Sequence, residues 1–119
     1  MATAVKRKLS GSTDGKAIKI TQTATAGDTI HTAVAGTTDG TYDEIWLWAF
    51  NSDTSDVELT IEFGGAAAPD QNIVVTIPYK SGLVPVVPGL ILQNEMVVKA
   101  FAEAANVVTL IGFVNRITD

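Results

Sequence analysis

The stretch "DVELTIEF" (residues 56–63) alternates without interruption. Val57, Leu59, Ile61 and Phe63 fall on one side, and Glu58, Thr60 and Glu62 on the other. Successive side chains of an extended chain point to opposite faces, so this pattern predicts a strand with one face on a core and one in solvent. "KAIKIT" (16–21) and "DTIHTAV" (28–34) alternate too, and "YDEIWLWAFN" (42–51), "NIVVTI" (72–77), "GLILQ" (89–93), "EMVVKAFAEA" (95–104) and "VVTLIGFVNRI" (107–117) read as further strands. Ala-rich "KAFAEAA" suits a helix on propensity alone. The flanking Val97, Val98, Val107 and Val108 favour a strand there, with a tight turn at Asn106. "GSTDG", "ATAGD" and the Gly-Ala-Pro loop at 64–70 punctuate the series. About eight strands at this spacing predict an all-β fold: an antiparallel β-sandwich, jelly-roll-like, with an Ig-like sandwich as runner-up. The Cys-Trp-Cys signature of antibody domains is absent, because the chain has no cysteine.

A chain of 119 residues makes one domain, expected at 11–119, behind a flexible basic N-terminal arm at 1–10. Lys6, Arg7 and Lys8 supply that arm with three of the eight basic residues. From Leu9 onward, five basic residues face thirteen acidic ones, a net of −8. So acidic a body is a poor match for phosphate backbones, and no nucleic-acid partner is expected. The arm reads either as a solvated tail or as a segment that binds an acidic partner through Lys6, Arg7 and Lys8. No apolar run approaches the roughly 20 residues that span a bilayer, so no membrane partner is expected. "MATAVKRKLSGS" has no apolar stretch behind its charges, so it is not read as a secretory leader, and the whole chain is expected to be the mature protein.

The inventory for chemistry is thin. "GSTDGKA" imitates a phosphate loop, but Gly11 and Gly15 enclose three residues where four are needed, and Ala17 follows Lys16. "NSDTSDVELTIE" (51–62) spaces oxygens like a calcium loop, but its sixth position is Asp56 and its second half is a strand, so a hairpin turn accounts for it better. His31 is the only histidine. Alternation places it on a polar face beside Thr29, as a surface residue. Asp43 and Glu44 lie on opposite faces of one strand. No catalytic residue, cofactor or metal site is expected, and the chain is not expected to be an enzyme.

Apolar residues, by contrast, are in surplus. Ile45 to Phe50 is apolar on both faces, with Trp46, Trp48 and Phe50 on one and Ile45, Leu47 and Ala49 on the other. "GLVPVVPGL" (82–90) carries Leu83, Val84, Val86 and Val87, yet Pro85 and Pro88 keep it off a central strand. The last strand is two-sided too, with Phe113 among its apolar residues. Trp46, Trp48, Phe50, Leu83, Val84, Val86, Val87 and Phe113 are therefore candidates for packing in the core or between copies of a homo-oligomer, a homotrimer above all. A carbohydrate-binding module would instead use Trp46, Trp48 and Tyr79 as stacking surfaces. Their mid-strand position among apolar neighbours favours packing.

"LTIEFGG" (59–65), "IVVTIPYKSGLVPVVPGLILQNEMVVKAFA" (73–102) and "NVVTLIGFVNRI" (106–117) together resemble small virion structural proteins of tailed bacteriophages, of the capsid decoration or cement type. The resemblance covers roughly residues 42–118 and is one of pattern. It implies a β-sandwich, often trimeric, that sits on the outer capsid surface and clamps the major capsid protein lattice. The protein would then be made in the host cytoplasm and carried in the virion. A tail or baseplate structural protein would share the fold and the oligomerisation. The resemblance brings no catalytic or cofactor residues.

Overall fold

The computed structural model describes residues 2–119, so Met1 of the expected arm lies outside the described residues. Among the described residues nine strands follow one another: β1 (Thr3–Lys8), β2 (Ile18–Lys19), β3 (Asp28–Thr32), β4 (Tyr42–Asn51), β5 (Val57–Phe63), β6 (Asn72–Ile77), β7 (Val84–Leu92), β8 (Val97–Ala102) and β9 (Val108–Thr118). Among the described residues there is no helix. Sheet A runs β1-β9-β4-β7, with β2 also on β9, and sheet B runs β3-β8-β5-β6. Every pairing is antiparallel. The protein is thus an all-β sandwich. With the two-residue β2 set aside, its pairs are nested: β1 with β9, β3 with β8, β4 with β7, β5 with β6. One long antiparallel ribbon rolled on itself produces this nesting, which is the order of a jelly roll rather than of an Ig sandwich.

The core lies between the sheets. From sheet A it takes Ile45, Leu47, Ala49, Leu110 and Val114, and from sheet B Leu59, Ile61, Val98, Ala100 and Ala102, all of them fully buried. Truncating one of the larger of these to Ala costs about 2–5 kcal/mol. β7 is the outer strand beyond β4, which leaves room for its prolines. Its register against β4 slips twice, so that Val86 and Gly89 have no partner of their own. The first slip turns the consecutive Val86 and Val87 both inward, and they join the core.

Three expectations need correction. First, the segment expected as a flexible arm is strand β1, paired residue for residue from Thr3↔Thr118 to Lys8↔Phe113. All six of its residues are exposed, so it contributes nothing to the core and shows no apolar alternation. Its basic residues are those that protect sheet edges from stray pairing. The sandwich therefore begins before residue 11, and Leu9, just past β1, is buried. Second, the polar face of β5 is only partly in solvent. Glu58 is exposed, but Thr60 and Glu62 are buried, and the loop before β3 reaches Glu62: Thr25 Oγ1 and the Gly27 N–H donate to its two carboxylate oxygens. Third, His31 is not on the surface. Ile30 is an extra residue in the β3–β8 pairing, and this bulge turns both Ile30 and His31 inward.

Candidate interaction face

The side of sheet A away from the core is aromatic. Along β4, Ile45, Leu47 and Ala49 fill the inner face, and Trp46, Trp48 and Phe50 stand half-buried on the outer one. β9 lies beside β4 with Trp46 opposite Phe113 and Trp48 opposite Ile111. Three rings gather there, with centroids 6.4 Å apart for Trp46–Trp48, 6.3 Å for Trp46–Phe113 and 6.0 Å for Trp48–Phe113. Their planes lie within 29° of parallel. Each such pair stabilises by about 0.5–1.5 kcal/mol beyond the area it buries. Lys6, on β1, places its ammonium 4.7 Å from the centroid of Phe113, a cation–π contact.

A polar rim fixes the orientation of the cluster. Trp46 Nε1–H donates to Glu44 Oε1 at 2.7 Å, and Asn115 Nδ2–H donates to the same oxygen at 3.0 Å. These two bonds, Trp46's first, hold the Glu44 carboxyl below its usual range, so it stays ionised at neutral pH. The other border is Gly89, at φ +76° in the second slip of β7. A Cβ there would come within 2.7 Å of the Trp46 ring, so only glycine lets β7 cross so close to the indole.

The sequence candidates divide between two environments. Trp46, Trp48, Phe50 and Phe113 share the outer face. Val86 and Val87 belong to the core, Val84 packs against it, and Leu83 is exposed. Leu83 and Phe50 line one shallow depression with Lys80 and Ser52, so the apolar face continues past the end of β4. Lys6, Arg7 and Lys8 lie exposed on β1 at the opposite margin of sheet A. Tyr79 is exposed on the loop after β6, apart from the three-ring cluster.

A second constellation joins the two sheets from inside. Asp43, fully buried on β4, accepts two bonds from Arg116 of β9, from Nε at 2.8 Å and from Nη2 at 2.9 Å. His31 of β3 brings its Nε2 to 2.6 Å from Asp43 Oδ2, and its Nδ1 accepts the Ser10 backbone N–H at 3.0 Å. Because a backbone N–H can only donate, Nδ1 is bare and the proton sits on Nε2, which donates to Asp43. Burial opposes the charge on Asp43, but the bonds from Arg116 and His31 outweigh it and hold its carboxyl below the usual range. Burial pushes the His31 imidazole down, against the pull of Asp43. The set has the residue types of a nucleophile triad without its geometry. Ser10 offers its backbone, and its Oγ accepts the Thr32 N–H at 2.7 Å. Sequence reasoning missed this cluster although one sign was visible: Asp43 shares the parity of Ile45, Leu47 and Ala49, and a carboxylate facing a core requires a cation there. Among the described residues, no three His, Asp or Glu side chains come together as a metal site would need.

Fold and face together define a small antiparallel sandwich with a His31–Asp43–Arg116 cluster joining its sheets and a half-buried aromatic cluster on the outer face of sheet A. Comparison with known proteins finds no matching family model, no matching curated protein and no matching solved structure.

Proposed function

We propose that the chain is a non-enzymatic structural protein of a phage virion, which decorates and cements the capsid by binding the major capsid protein lattice as a homo-oligomer, a homotrimer above all. One observation carries the reading: the sandwich fills its core from the inner face of β4 and β9, and still presents Trp46, Trp48, Phe50 and Phe113 on the outer face. Surplus aromatic surface rimmed by polar groups is the form that interfaces take. The sequence pattern of residues 42–118 supports the phage assignment, with the outer capsid surface as the site of action and the host cytoplasm as the site of synthesis. Light scattering across a dilution series tests the assembly, with three copies of the 12.5 kDa chain as the expected species. A monomer at micromolar concentration overturns it. Antibody labelling of intact particles tests the place: label on the head supports the proposal, and label confined to the tail or baseplate replaces it.

The near-parallel rings favour one second reading, a carbohydrate-binding module, since flat apolar ring faces are what sugars stack on. Trp48→Ala separates the two. Under the first reading it should dissociate the oligomer or lower its melting temperature, with no change in glycan binding. An unchanged assembly that melts like the parent and has lost affinity on a glycan array would establish the second.

A further inference from the structure

β1 is attached to the molecule in two ways. Along its length it has the β9 ladder and the Lys6–Phe113 contact, with all six residues otherwise exposed. At its C-terminal end Leu9 is buried in the core, and residues 10–11 are moored on β3 by three hydrogen bonds. The Ser10 N–H reaches His31 Nδ1, the Thr32 N–H reaches Ser10 Oγ, and the Gly11 N–H reaches the Ile30 carbonyl at 2.9 Å. The fit is close, since a Cβ on Gly11 would lie 2.5 Å from the Thr29 carbonyl oxygen. One of the three bonds depends on an unprotonated imidazole nitrogen.

From this geometry we propose that His31 is a proton-operated latch on β1, closed in neutral solution and opened by acidification. A proton on Nδ1 sets an N–H against the Ser10 N–H, donor against donor, on a ring that is only 2% exposed. The charged groups that face the ring come from three strands. Asp43 of β4 attracts an imidazolium but is already shared with two Arg116 nitrogens. Arg116 of β9 and Arg7 of β1 repel it. Arg7 is on the latched strand itself, so an imidazolium also disfavours the seated position of β1. Once β1 leaves, the edge of β9 over residues 113–118 loses its partner and Lys6 leaves Phe113. Acid would thereby uncover both a strand edge and the ring cluster. This inference is independent of the virion assignment.

The sign for stability follows. The folded protein holds the imidazole below its ordinary value of about 6.5, so the unfolded chain takes up the proton first. The His31 contribution is complete above about pH 6.5 and declines as pH falls below it. The Asp43 contribution is lost only in stronger acid, as pH falls through its lowered folded value.

The test uses the full chain between pH 8 and pH 4.5. His31 is the only histidine, so one imidazole NMR signal reports its protonation without assignment work. Amide hydrogen exchange at residues 4–8, corrected for the intrinsic pH dependence, reports β1. The expected result is a protection loss of at least about tenfold in β1 that follows the His31 titration, while β5 and β8 keep theirs. Constant β1 protection through that titration overturns the latch, as does an imidazole that takes up its proton only on global unfolding. His31→Asn offers Ser10 an oxygen acceptor that does not titrate. Its β1 should be protected equally at both ends of the range, and a protection loss with the parental midpoint would overturn the proposal. Should that variant not fold, the comparison of β1 with β5 and β8 in the parent chain decides.

Discussion

Asp43→Ala is expected to lower the melting temperature by about 10–20 °C, the equivalent of about 3–5 kcal/mol in a domain of this size. The carboxylate has no exposure, and among the described residues it is the one acceptor in contact with both Arg116 and His31. Its removal leaves the Arg116 guanidinium, 24% exposed, without its carboxylate and the buried His31 Nε2–H without an acceptor, and breaking a pair in this way costs more than the pair stabilises. A loss of that size is a large share of the about 5–15 kcal/mol that holds a small domain together. Arg116→Ala, measured alone and combined with Asp43→Ala, completes the test. The double variant should melt close to Asp43→Ala alone, because once Asp43 is absent Arg116 has little left to stabilise. Strictly additive losses, or a melting temperature within 3 °C of the parent for Asp43→Ala, would sink the account.

Gly112→Val should do at least as much damage by a different route. Gly112 lies opposite Leu47 in the central β4–β9 pair. A Cβ built on it would lie 1.9 Å from the Trp46 carbonyl oxygen and 2.9 Å from the Trp46 carbonyl carbon. Those are backbone atoms, so no rotamer relieves the clash and the two strands have to separate. The expected outcome is loss of the sheet signal in circular dichroism at 25 °C, or a melting temperature more than about 15 °C below the parent. Gly15→Asn provides the contrast. Gly15 has φ +84° and open space around it, and Asn tolerates that conformation, so the cost there should be about 1 kcal/mol or less. Equal behaviour of the two variants would show that crowding at Gly112 is not the cause.

How much of this was readable beforehand depends on where each residue stands relative to the core. β5 was legible because its inner residues alternate cleanly with polar ones, and alternation is a direct trace of burial, whereas β4, apolar on both faces from Ile45 to Phe50, showed itself by its aromatic and aliphatic run. That β7 is no central strand was legible through Pro85 and Pro88, which lack the N–H that such a strand needs, but the prolines suit an edge and a loop equally, and the strand begins at Val84 rather than Gly89. β1 was not, because it touches no core: its residues record only charge, and its pairing is decided by backbone groups that every sequence carries. His31 was assigned to the wrong face because a bulge shifts parity by one, and Ile30 carries no mark that it will be the extra residue. Glu62 was misplaced for another reason. Its neighbours in the strand predict an open face, and the cover comes from Thr25 and Gly27, more than thirty residues earlier. The two tryptophans were placed correctly relative to one another, on one side of β4. Which side that would be followed from Asp43, whose parity went unused.

The nested order of the strands also sets a timetable for synthesis. β5 and β6 are neighbours in the chain and in the sheet, so they can pair as soon as both have left the ribosome. β3 waits for β8, β4 waits for β7 and β9, and β1 waits longest, since Thr3 finds its partner only when Thr118 has been made. Ladders between such distant segments form slowly, and a strand left waiting is exposed to pairing with other nascent chains. The first of these nine strands to emerge is the one with no core face and with Lys6, Arg7 and Lys8 along it. Charge and the absence of an apolar stripe make it the segment of this chain best suited to remain unpaired in a crowded cell while the rest is assembled.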